Sequence, residues 1–152
     1  MILFVCSQGK LRSRTAELLC LFGGVHARSA GSDQDAEVPL SDVLIRKAST
    51  IICMEAEHYD ALRAFPSFAN RVGPAPVVLH VPDRFDRLEP ALVEKLISNV
   101  RLGVPLGAEL ADAMQRGATL LAGQPGYRDA LGTRTPRVFG SSSNPAFDVF
   151  PQ

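Results

Sequence analysis

The chain carries no surplus of charge. Sixteen Lys and Arg residues balance sixteen Asp and Glu, so the formal net charge at pH 7 is zero. A protein that grips nucleic acid or an anionic membrane with its general surface needs a basic excess, so neither partner is expected. Any attraction for anions has to be local. Cysteine is scarce: Cys6, Cys20 and Cys53 are the whole set. An odd, sparse set is not a disulfide framework. No two of them form a CxxC pair and no His lies at ligand spacing from them, which argues against a zinc site. Long apolar runs are missing as well. The opening "MILFVC" is far too short for a signal peptide or a membrane span, so a reducing cytoplasm is the expected compartment. No internal repeat is visible.

What is present suits one domain. The 152 residues are 46% hydrophobic and 21% charged, enough to bury a core without staples. "ILFVC" (2–6) reads as a short buried strand. "RSRTAELLCLF" (12–22) reads as a helix that stops at Gly23-Gly24. A second strand is expected at 25–31, and a helix at 40–49 with Ser41 as N-cap. "TIICM" (50–54) is a third strand. A helix over 55–65 follows, with acids in its first turn and Pro66 ending it. "PVVLHVP" (76–82) is a fourth strand, and 89–100 a helix with Leu92, Val93, Leu96, Ile97 and Val100 on one face. Strand and helix alternate, which calls for a parallel sheet covered on both faces by right-handed crossovers. Ligands of such sheets sit beyond the carboxyl ends of the strands. Residues 102–152 read as a C-terminal extension: one helix at 107–123, then an irregular Gly-, Pro- and Ser-rich tail whose Phe139, Phe147 and Phe150 suggest docking.

The chemistry concentrates in "FVCSQGKLRSRTAE" (4–17), where the first strand gives way to the first helix. Backbone N–H groups between a strand end and a helix start are unpaired and converge, and the helix dipole adds positive potential. The loop Ser7, Gln8, Gly9, Lys10, Leu11 and Arg12 therefore reads as an anion cradle, with Gly9 free to take a left-handed backbone. Arg12 offers a planar, permanently charged fork to two oxygens of a phosphate-like dianion. Cys6 faces the same cradle, which favours its thiolate and makes it a nucleophile poised for in-line attack on phosphorus. Ser13 is placed to donate a hydrogen bond to the sulfur. The departing oxygen needs a proton, and "HVPDRFD" (80–86) supplies Asp83 and Asp86 after the fourth strand. Asp83 follows that strand more closely and is the favoured acid.

The same stretch resembles the signature of the low-molecular-weight protein-tyrosine phosphatases, Cys-x5-Arg-Ser followed by Ala-Glu in the first helix. It is most similar to a branch of small bacterial predicted tyrosine phosphatases whose loop reads C-S-Q-N-x-L-R-S-P-T-A-E. "RSAGSDQDAEVPLS", "IICMEAEH" and "VPDRF" resemble that branch in order and spacing. The resemblance spans about residues 2–100, so a phosphatase domain over 1–101 and an extension over 102–152 are expected. It implies a three-layer α/β sandwich with a four-stranded parallel sheet, and neither cofactor nor metal. It implies Cys6 as nucleophile, Arg12 as phosphate clamp, Ser13 as the thiolate's partner and Asp83 as general acid. This chain departs from the family at Gly9, where Asn is usual, and at Arg14, where Pro is usual. Arg84 stands where Pro is common, and Phe85 remains of the aromatics that wall the substrate ring.

The expected substrate is thus a phosphate monoester, phosphotyrosine in a peptide or protein first among them, with inorganic phosphate or sulfate able to occupy the loop. Two alternatives stay open. An arsenate reductase on this fold would pass oxidation outward through further thiols, for which Cys20 and Cys53 are the candidates. A phosphate- or phosphoprotein-binding module with little catalysis is the other. Cys20 and Cys53 otherwise read as core filler. His26, His58 and His80 read as structural or surface residues, and "SDQDAE" (32–37) as solvated surface. Lys10 and Arg14 read as solvated charges or as guides for anions.

Overall fold

Four strands pair side by side in the computed structural model, which describes residues 1–125. They are β1 (Ile2–Cys6), β2 (Ala27–Gly31), β3 (Thr50–Cys53) and β4 (Val77–Val78). The order across the sheet is β2-β1-β3-β4, and every pair is parallel. β1 has a neighbour on each side and helices over each face, which is why its sequence is continuously apolar. Successive side chains point to opposite faces. Leu3 and Val5 enter one core, Phe4 and Cys6 the other.

The helices form the outer layers. α1 (Arg12–Phe22), α5 (Pro90–Gly103) and α6 (Gly107–Ala122) close the Phe4 side with Leu18, Leu19, Leu92, Leu96, Met114 and Leu121. α2 (Asp42–Lys47), α3 (Ala56–Leu62) and α4 (Pro66–Ala69) close the other with Leu44, Ile45, Leu62 and Phe68. The architecture is the expected three-layer α/β sandwich. α5 runs through residue 101, the expected boundary, and α6 packs in the same core as α1. The remaining expectations for the tail, with Phe139, Phe147 and Phe150, lie outside the described residues.

Two elements differ from expectation for local reasons. The fourth strand shrinks to two residues. Pro76 and Pro82 have no N–H to donate, and His80 turns the backbone at φ +58°. The chain still tracks β3, since Leu79 N–H bonds Cys53 O at 2.9 Å and Val81 N–H bonds Met54 O at 2.9 Å. The helix expected over 55–65 stops at Leu62, and Pro66 starts α4 instead of ending α3. Proline is at home in a first turn, where its missing N–H has no partner to lose. Ser41 caps α2 as expected, its Oγ accepting from Leu44 N–H at 3.2 Å.

The sheet order brings three loops together. Chain direction diverges from β1, going to β2 on one side and to β3 on the other, so the ends of β1 and β3 border a crevice. The loops after β1, β3 and the β4 extension all open at that edge.

Candidate active site

Cys6 ends β1 and is 3% exposed. Its Sγ lies 2.9 Å from Ser13 Oγ and accepts a hydrogen bond from Gly9 N–H at 3.1 Å. Gly9 bends the chain back over the sulfur with φ +72°. A Cβ there would also stand 3.1 Å from the backbone of Ala30 and Gly31, so both conformation and space favour glycine. Among the described residues the N–H groups of Gln8, Lys10 and Leu11 have no hydrogen-bond acceptor.

Arg12 opens α1 and is 1% exposed, unusual burial for a guanidinium. Its Nη1 donates to the Glu55 carboxylate and, at 2.8 Å, to Val81 O. Its Nε lies 3.9 Å from Asp83 Oδ1, an electrostatic pairing longer than a hydrogen bond. Among the described residues no hydrogen bond engages Nε or Nη2. Those atoms form one edge of the planar fork, the edge that fits two oxygens of an oxyanion.

Of the residues expected in the site, Cys6 meets Ser13 and Arg12 meets Asp83. Asp83 is half exposed and pairs with Arg12, while the backbone N–H of Asp86 donates to Glu89 Oε1 at 3.1 Å. Phe85 is not available as a substrate wall. It is 6% exposed within the Phe4-side core, with the Arg84 guanidinium 5.2 Å from its ring centre.

Three residues that the sequence reading left outside the site belong to its frame. Asp33, in the acidic stretch taken for solvated surface, backs the loop. Its N–H bonds Ser7 O at 2.9 Å and its carboxylate accepts from Gln8 Nε2. Glu55 pairs with Arg12. His58, fully buried, accepts Glu55 N–H on Nδ1 at 2.9 Å and meets Ser7 Oγ with Nε2 at 3.1 Å. Burial above all, then the Arg12 charge, pushes the His58 pKa down to about 4. The ring is therefore neutral near pH 7. Because Nδ1 accepts, Nε2 carries the proton and donates it to Ser7. The signal for these residues was the strand order: β2 and β3 flank β1, so the segment with Asp33 and "MEAEH" had to neighbour the Cys6 loop.

Glu55, Glu57 and His58 bring ligand-type atoms within 4.8 Å of one another. Both ring nitrogens of His58 already make hydrogen bonds, and Glu55 is engaged by Arg12, so the cluster reads as a bonding network. Cys20 and Cys53 are fully buried, one in each core, on opposite sides of the sheet. Burial pushes both thiols up to about 12, with Glu17 adding to the effect at Cys20. Neither is placed or ionised to relay oxidation from Cys6.

No protein-family model matches the sequence, and no curated protein matches it. Likenesses exist among solved structures. One is the YwlE arginine phosphatase from Geobacillus stearothermophilus, 20% identical over 80% of this chain and 92% of that one, with a TM-score of 0.44. Another is a low-molecular-weight phosphotyrosine phosphatase from Vibrio cholerae O395, 15% identical over 80% and 93%, with a TM-score of 0.44. The tyrosine phosphatase AmsI of Erwinia amylovora is 18% identical over 78% and 91%, with a TM-score of 0.43. Among the described residues no helix is long and apolar enough to cross a membrane.

Proposed function

We propose that the chain is a phosphate-monoester hydrolase working through a cysteinyl-phosphate intermediate, with phosphotyrosine in peptides or proteins as the substrate of choice. The observation that carries this reading is the environment of one sulfur. Cys6 Sγ lies within hydrogen-bond reach of Gly9 N–H and Ser13 Oγ, while the Nε–Nη2 edge of Arg12 makes no hydrogen bond among the described residues and pairs only at 3.9 Å with Asp83. A phosphoryl group fits between that edge and the unpaired N–H groups of Gln8, Lys10 and Leu11.

The thiolate of Cys6 attacks phosphorus, and the S–P bond forms as the ester P–O bond breaks. Asp83 gives its proton to the departing oxygen, which turns an alkoxide or phenolate into a neutral alcohol. Asp83, now a carboxylate, takes a proton from water as that water attacks the cysteinyl phosphate. The S–P bond breaks, inorganic phosphate leaves, and Ser13 O–H stabilises the returning thiolate. Arg12 holds two phosphoryl oxygens throughout, its other edge fixed by Glu55 and Val81 O. No step asks for a metal or cofactor. Three free thiols suit a reducing cytoplasm. The arsenate-reductase alternative lacks support, because Cys20 and Cys53 are sealed in separate cores.

Hydrolysis of a generic aryl phosphate tests the reading. Cys6→Ser is expected to reduce turnover to background. Asp83→Asn is expected to lower kcat by about 10²–10⁴-fold, the span usual for a lost general acid, and most for poor leaving groups. A Cys6→Ser protein with the wild-type rate would refute it.

A further inference from the structure

The Cys6 loop has little to stiffen it from within. Its midpoint, Gly9, has no side chain to brace and the most permissive backbone of any residue. Three of its N–H groups have no acceptor among the described residues. Its two functional ends must nevertheless stay in register, since a displacement of about 1 Å can cost 10²-fold in rate. Asp33 backs its Ser7–Gln8 segment, and the first turn of α3 ties its two ends.

Glu55 is the N-cap of α3 and His58 is its third helical residue. The His58 ring reaches back and accepts the Glu55 N–H at 2.9 Å, which satisfies a donor that would otherwise be orphaned at the helix start. That bond fixes the ring's orientation and leaves Nε2–H aimed at Ser7 Oγ, 3.1 Å away. Ser7 is the residue next to the nucleophile. The carboxylate of the same Glu55 grips Arg12 Nη1. One helical turn thus holds both ends of the loop. His58 is fully buried, which shields the ring's side of both bonds from water.

On the phosphatase reading above, we propose that His58 is a positioning residue, holding Ser7 beside the nucleophile and Glu55 against Arg12 from one buried ring. It touches neither the phosphoryl group nor the sulfur. It sets the distance between the groups that do.

Three substitutions separate this role from plain core filling. Ser7→Ala removes the acceptor. His58→Asn retains an acceptor near Nδ1 for Glu55 N–H but falls short of Ser7. His58→Gln places an amide nitrogen near Nε2 and restores the reach. Aryl phosphate kinetics are expected to show kcat falling about tenfold or more in Ser7→Ala and in His58→Asn, with KM changing less. The double variant should be no worse than either single, and His58→Gln should recover most of the loss. Amide exchange of residues 7–12 should quicken by at least tenfold in both single variants, and no further in the double. Multiplying kinetic losses, or no rescue by Gln, would overturn the proposal. If the wild type turns over no aryl phosphate, the phosphatase reading fails on its own account. The tie is then judged by amide exchange alone: unchanged rates refute it, and coupled quickening upholds it.

Discussion

Arg14 sits one residue beyond the serine that bonds Cys6, and its side chain turns inward. Its Nη1 donates to Glu17 Oε1 at 2.6 Å, and that oxygen also accepts from Ser29 Oγ at 2.8 Å. Glu17 is fully buried, and its second oxygen has no hydrogen-bond partner among the described residues. Removing one partner of a buried ion pair leaves an uncompensated charge, at a cost of about 3–5 kcal/mol. Arg14→Ala is therefore expected to lower the unfolding free energy by about 3 kcal/mol, measured by urea denaturation. The sequence reading took Arg14 for a solvated charge or a guide for anions. Its partner Glu17 lies one helical turn on, but Ser29 of β2 bonds the same carboxylate, and that buried setting cannot be read from local spacing. Cys6, Arg12 and Ser13 were legible for the opposite reason: one strand–loop–helix segment contains them all. Glu55 and His58 lie more than forty residues further on, and only the placement of β3 beside β1 joins them to the loop.

Helices were legible as elements and their contacts were not. α1 and α6 meet where each has a small residue at the crossing. A Cβ on Gly117 would lie 1.9 Å from Leu19 O, and one on Gly23 would lie 2.0 Å from Ala113 O. Backbone meets backbone there, so no side chain can swing aside. Gly117→Ala is expected to force the helices apart and destabilise the fold by roughly 1–3 kcal/mol, the usual range for overpacking, read as a lower urea midpoint. An unchanged midpoint would mean that the crossing is looser than described. In the sequence, Gly117 is a lone glycine in a helical run, and its purpose depends on the partner helix. The truncated fourth strand shows the same limit. Its apolar residues were plain, but the two prolines and the left-handed His80 decide how much of the run pairs.

At the scale of the molecule, the site is where two cores, one sheet and three loops meet, and protonation of a single ring affects the whole fold. A free histidine takes up a proton near pH 6.5, whereas His58 in the folded chain does so only near pH 4. Between those values the unfolded chain binds a proton that the native one does not, so acid favours unfolding. The contribution of His58 is fully present above pH 6.5 and is lost as the pH falls toward 4, at most roughly 3 kcal/mol in all. Urea midpoints across that window should fall more steeply for the wild type than for His58→Gln, which does not titrate there. Equal slopes would show that the ring is not held neutral.

The sheet between Cys20 and Cys53 bears on how such a protein would meet peroxide. Cys53 points away from Cys6 on the neighbouring strand, and Cys20 lies seven residues beyond Ser13 along α1, about 10 Å of helix rise. Neither can reach a sulfenic acid at Cys6 within disulfide geometry while the chain stays folded. Brief peroxide treatment followed by mass spectrometry should therefore find no internal disulfide, only oxidised Cys6 or its adduct with added glutathione. Reactivation would depend on a small thiol entering the crevice from outside, and exposure without one would carry the sulfur on to its irreversible acids.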